Sequence, residues 1–287
     1  MTHNWFLNQD NFNFNSNVAF LKNHATPTIN DQAQPVFCFS HVPKTAGTSM
    51  ELILAKNYLL SEVLHVNAPD LNLQPRLLNL KKNLPKLICG HHPLHGLLYQ
   101  LLPEQPIFHL TQLRDPIDRV LSYYNYVQGK KDHPLHQQST GKSIQDFLNL
   151  NPSPELANGQ AKRFSGFLHS GETDDETLFK VAADTLSQCF SLVLTTCLFD
   201  EGLLLLKKRT GLKDIYYSRH NVSKRFISRQ ELGEEELAMI VSSNQADIKL
   251  FNWARENCLQ MIKNELSHED INDFKTNNLK WAGLIQS

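Results

Sequence analysis

Val36-Phe37-Cys38-Phe39-Ser40-His41-Val42-Pro43-Lys44-Thr45-Ala46-Gly47-Thr48-Ser49 passes from a short apolar run, through a proline, into a small-residue loop carrying one lysine. Four consecutive apolar residues are too few for a helix and read as a buried strand. Met50 to Leu60 contains no Gly or Pro and predicts a helix. Strand, tight loop and helix is the geometry that leaves backbone N–H groups at a helix N-terminus facing an anion. Lys44 adds a point charge, and the hydroxyls of Thr45, Thr48 and Ser49 add short-reach donors. A P-loop of the Walker A type is excluded, because its lysine follows the second glycine. Here Lys44 precedes Gly47 by three positions.

Two further strands bring chemistry to the same end of a sheet. Lys86-Leu87-Ile88-Cys89-Gly90 reads as a short buried strand, followed at once by His91 and His92. In a parallel α/β sheet that position, beyond a strand's carboxyl end, is where ligands bind. The two histidines are adjacent and Pro93 follows, so they do not share a helix face as metal ligands would, and no metal is expected. A general base is the better use of either, since imidazole titrates near neutral pH. Ile107 to Leu113 reads as the next strand and ends in Arg114-Asp115-Pro116. Asp115 suits an N-cap and Pro116 the first helical position, so a helix runs from Ile117 to Gln128. Helical spacing then lets Arg114 and Ser122 reach one anion, with Arg supplying the fork that phosphate accepts.

The order His41-Val42-Pro43-Lys44-Thr45-Ala46-Gly47-Thr48-Ser49 resembles the 5′-phosphosulfate loop of sulfotransferases, in particular the carbohydrate-type branch that includes heparan sulfate 2-O-sulfotransferases. Arg114, Asp115, Pro116, Arg119, Ser122 and Tyr124 likewise resemble that family's 3′-phosphate motif. Weaker similarities run through Asn158–Gly166, Phe199–Leu206, His220–Arg225 and Gln245–Glu256. The resemblance implies an α/β three-layer α/β/α fold with a mainly parallel central sheet and a P-loop-like phosphosulfate-binding loop. It implies sulfuryl transfer from 3′-phosphoadenosine 5′-phosphosulfate (PAPS) to a hydroxyl acceptor, with a carbohydrate expected. Lys44 through Ser49, with Ala46 and Gly47 contributing backbone, would hold the 5′-phosphosulfate. Arg114 and Ser122 would hold the 3′-phosphate, and Lys224 and Arg225 would close over the nucleotide. His91 falls on the family's base, with His92 its close competitor.

Composition sets outer bounds. The 287 residues carry 28 basic and 29 acidic side chains, so bulk charge offers no reason to expect nucleic acid as a partner. Five scattered cysteines without a Cys-x-x-Cys pair read as reduced thiols packed as small hydrophobes. Met1 to Asn30 shows no basic region followed by a long apolar stretch, so a cytoplasmic, bacterial-type chain with no membrane span is expected. Residues 1–34 read as an N-terminal arm, 35–266 as the domain and 267–287 as a polar, partly ordered tail. Residues 62–84 read as a surface helix, and 129–142 as an exposed loop over the acceptor site. Acceptor identity and oligomeric state are not written in the chain. Two other readings share these residues: a nucleotide-dependent kinase, and a non-catalytic nucleotide- or glycan-binding module.

Overall fold

The structure, a computed structural model, describes residues 35–66, 84–91, 105–150, 153–166, 173–218 and 226–286. In chain order its main elements are β1 (Val36–Ser40), α1 (Gly47–Ala55), β2 (Val63–His65), β3 (Leu87–Gly90), β4 (Ile107–Leu113), α2 (Pro116–Gly129), α3 (His136–Ser139), α4 (Ile144–Leu150), α5 (Gly159–Ser165), α6 (Asp175–Cys189), β5 (Leu192–Thr195), α7 (Phe199–Thr210), α8 (Glu234–Ser242), α9 (Gln245–Glu265) and α10 (His268–Gln286).

The strands form one five-stranded parallel sheet in the order β2-β3-β1-β4-β5. Side-chain alternation splits each central strand between two layers. Val36, Cys38 and Ile88 pack with α5, α6 and α9 residues such as Phe164, Leu186 and Leu250. Phe37, Phe39, Leu87 and Cys89 face the other way, onto Met50 and Ile53 of α1, Leu203 and Leu206 of α7 and Phe274 of α10. The result is the expected α/β/α sandwich. From β1 the chain goes to one edge of the sheet, and from β4 to the other, so the topology reverses between these two neighbours. A crevice opens at such a reversal, outside the carboxyl ends of the strands.

Three expectations change. Within 62–84, Val63–His65 is an edge strand paired in register with Leu87–Cys89, while 67–83 lies outside the described residues. The polar run after Ser267 is the helix α10. Ser267 and Asp270 cap it reciprocally, with Ser267 N donating to Asp270 Oδ2 (3.2 Å) and Asp270 N to Ser267 Oγ (3.0 Å). Phe274 then sits 5% exposed in the core, and Asn278 Oδ1 accepts from Tyr217 N at 2.7 Å. That capping signal was readable. What hid the helix is that its apolar contacts are few and all tertiary. Third, Cys197 is exposed, while the other four cysteines are buried and all five are free. The arm at 1–34 lies outside the described residues.

Candidate active site

The loop after β1 is built by turning its carbonyls inward. Thr45 Oγ1 donates to Val42 O (2.8 Å), Arg119 Nε to Pro43 O (3.1 Å), Arg114 NH1 to Lys44 O (3.1 Å) and Gln112 Nε2 to Thr45 O (2.8 Å). Lys44 and Ala46 both adopt left-handed backbone, with φ of 66° and 59°. Such residues cost about 1 kcal/mol or more each and persist only where surroundings hold them. Four successive carbonyls of the loop, Val42 to Thr45, are thus engaged by side chains. Helix α1 begins there without a side-chain cap, which leaves its first N–H groups for an anion.

Those elements open onto a cleft of about 740 Å³. Lys44, Ala46, Gly47, Thr48 and Ser49 line one side, with Arg114 and Ser122 beside them. Thr45 departs from expectation: it is fully buried, and its hydroxyl is spent on the loop's own backbone. The strand-to-helix step after β4 forms as the sequence indicates, with Asp115 accepting from Ile117 N and Asp118 N ahead of Pro116. Burial and the nearby Arg114 and Lys130 charges bring the Lys44 ammonium down to about 8. Its Nζ lies 3.8 Å from the centroid of the Tyr126 ring, a cation–π contact.

Behind the cleft, a buried polar cluster holds this geometry. Gln160 of α5 clamps Arg114 by both backbone groups, accepting from Arg114 N and donating to Arg114 O, each at 2.9 Å. Helices α5 and α9 cap one another: Asp247 accepts from Gln160 N and Ala161 N, and Asn158 Oδ1 accepts from Ala246 N and Asp247 N. Arg119, part of the motif but only 2% exposed, takes no place on the cleft wall. It pairs with Glu155 and reaches Pro43 O, so it ties the loop to the helical layer.

Two histidines complete the floor. His91 Nδ1–H donates to the backbone carbonyl of His41 (2.9 Å), so Nε2 carries the lone pair of its neutral ring. His41 Nδ1–H donates to Glu51 Oε1 (2.9 Å), and the two rings lie 3.9 Å apart, centroid to centroid. Glycines make the approach possible. A Cβ on Gly90, at φ 125°, would meet Val66 O at 2.0 Å, and one on Gly47 would meet the His41 ring at 1.9 Å. Gly47→Ala is therefore expected to expel His41 from beneath α1 and to lower stability by about 1–3 kcal/mol. Urea unfolding of the variant checks this, and an unchanged midpoint would contradict the packing.

A family model described as "Sulfotransferase family" matches residues 27–200, more than half of the chain. The chain belongs to the sulfotransferase family. Comparison with curated proteins finds no match.

Within this sulfotransferase, the strand-end motifs read from sequence converge on one cleft. His92, Lys224 and Arg225 lie outside the described residues. The opposite wall was not anticipated: Tyr123, Tyr126, Lys130 and His133 face the loop. Lys130 Nζ donates to Tyr126 Oη at 2.9 Å. Segment 129–142, expected as an exposed loop, contains α3 and is fastened by His136 Nδ1–H to Val127 O (2.8 Å), Gln128 Nε2 to Ser139 O (2.6 Å) and Tyr124 Oη to Lys142 O (2.7 Å). Tyr123 and Tyr126 fall at i and i+3 on α2, with Lys130 capping its end, spacing that was available in the sequence. Only the cleft gives that stripe a role. Glu51, His65 and Cys89 also meet, with donor atoms within 4.8 Å. Burial and the Glu51 charge push the Cys89 thiol up to about 12, so the group there is a neutral thiol. Among the described residues no helix is long and apolar enough to cross a membrane.

Proposed function

We propose that the chain transfers a sulfuryl group from PAPS to a hydroxyl acceptor, a carbohydrate by the sequence resemblance. The observation that carries this reading is the meeting of the Lys44 loop, Arg114, Ser122 and His91 in one cleft at the topological reversal of the sheet. The inward-tied loop suits the tetrahedral 5′-phosphosulfate end, and Arg114 with Ser122 suits a second phosphate on the same molecule.

In the proposed step His91 Nε2 takes the acceptor hydroxyl's proton. The acceptor oxygen–sulfur bond forms as the bond from sulfur to the bridging oxygen of the 5′-phosphate breaks, and 3′,5′-ADP leaves. Lys44 and the loop N–H groups stabilise charge growing on that bridging oxygen. Positioning of donor and acceptor supplies much of the remainder. Burial, above all, holds His91 down at about 4, so the ring is neutral and ready to accept a proton at neutral pH.

Calorimetric titration with 3′,5′-ADP, beside 5′-AMP and ATP in metal-free buffer, tests the donor site. Tight binding that depends on the 3′-phosphate, and that weakens in Arg114→Ala, is expected. Equal affinity for 3′,5′-ADP and 5′-AMP would refute the assignment. The same titration has a pH signature. An anion favours charged Lys44, raising its depressed pKa, so binding takes up a proton when pH exceeds about 8. Above that pH the measured heat should vary with the ionisation enthalpy of the buffer.

A further inference from the structure

The base proposed above is not an isolated imidazole. Resting on that reading, we infer that Glu51, acting through His41, is a positioning residue whose negative charge stabilises the proton that His91 removes from the acceptor.

Three contacts define a continuous path. Glu51 Oε1 accepts from His41 Nδ1–H (2.9 Å), His41 lies 3.9 Å ring to ring from His91, and His91 Nδ1–H donates back to the His41 carbonyl (2.9 Å). The carboxylate is 15% exposed and His41 6%, so solvent screens the chain weakly. The order is enforced by packing. Glu51 stands on α1, His41 lies under the Gly47 end of that helix, and His91 follows β3, so each group arrives on a different rigid element. His41 is further held by its stack on Phe39, 5.7 Å between centroids.

The electrostatics call for such a partner. Burial, His41 and Arg163 all disfavour a proton on His91, whereas the Glu51 charge favours it. The other groups facing this carboxylate are His65, whose Nε2 is 3.5 Å from Oε2, and the neutral Cys89 thiol. Hydrogen bonds and these histidines hold Glu51 below the usual carboxylate range against its burial, so it is charged at neutral pH. A proton arriving at His91 Nε2 is thus met by a fixed negative charge at the far end of the pair, while Nδ1 of each ring stays engaged. The acceptor proton ends on the pair and leaves later to solvent, and no further reactant is needed.

Glu51→Gln preserves a carbonyl oxygen able to accept from His41 and removes only the charge. It is expected to lower kcat roughly 10-fold, with the affinity for 3′,5′-ADP unchanged. In a His91→Ala background the same substitution should cost almost nothing, because its effect passes through His91. Equal losses in both backgrounds would overturn the inference and leave Glu51 a packing residue. NMR titration of the His91 ring gives a second readout that needs no turnover. Its midpoint should move down in Glu51→Gln. Glu51→Asp, which keeps the charge, should restore much of that change. An unmoved midpoint also overturns the inference. Failure of the wild-type protein to transfer sulfuryl groups would instead count against the enzyme reading, while the NMR titration still decides whether Glu51 is coupled to the pair.

Discussion

His91→Ala is expected to lower kcat by roughly 10²–10⁴-fold, the usual contribution of a general base, while 3′,5′-ADP binds as before. The asymmetry follows from placement. The proposed nucleotide contacts come from the loop after β1 and from the β4–α2 step, whereas His91 stands beyond β3 and is held by a backbone carbonyl. Removing its ring leaves the His41–Glu51 bond and the inward-tied loop carbonyls intact. The electrostatic part of catalysis therefore survives, and residual turnover should be measurable. Steady-state kinetics with calorimetry on the same preparation separates the two effects. Full activity in His91→Ala, with loss in His92→Ala, would transfer the base to the neighbouring histidine. Joint loss of kcat and 3′,5′-ADP affinity would mean that His91 supports the cleft and is not its base.

Arg119→Ala should lower stability by about 3 kcal/mol and weaken nucleotide binding without touching the nucleotide. Removing one member of a buried ion pair costs roughly 3–5 kcal/mol, because the partner charge stays buried. The lower figure applies because Arg163 also pairs with Glu155. Asp247, fully buried with Arg119 NH1 at 3.9 Å, loses its nearest cation as well. Burial already raises its carboxyl above the usual range, and the substitution pushes it further toward the protonated form. The Pro43 carbonyl is orphaned at the same time, so the left-handed backbone at Lys44 loses one of its restraints. Denaturant unfolding should show the stability loss, and the 3′,5′-ADP affinity should fall with it. Wild-type stability in the variant would show that the cluster relaxes around the missing guanidinium.

The loop and the two strand ends were legible because their chemistry is local. A four-residue apolar run, Pro43, and the Asp115-Pro116 start of α2 each depend on neighbours in sequence. Motif spacing alone also placed Arg114 and Ser122 on one site, since a helix repeat converts sequence distance into a face. Thr45 shows where that logic stops. Its neighbours suggest an anion donor, yet inward or outward aim depends on a carbonyl three residues back and on Gln112 beneath it. Arg119 is the sharper case: its place in the Arg-Asp-Pro motif gives it no role by itself, and its partner, Glu155, lies 36 positions away.

Residue order by itself determined the parallel α/β class, the strand–loop–helix step after β1 and the family, because buried strands, turn chemistry and short motifs are written in contiguous stretches. Only the tertiary structure decided the wall of Tyr123, Tyr126, Lys130 and His133, the Gln160 clamp on Arg114 and the Glu51–His41–His91 path. Each of these joins groups that are separate in the chain and become neighbours only when two layers close on one sheet. Whether a polar side chain then serves the ligand or the scaffold is set by which partner lies within about 3 Å of it, the reach of a hydrogen bond.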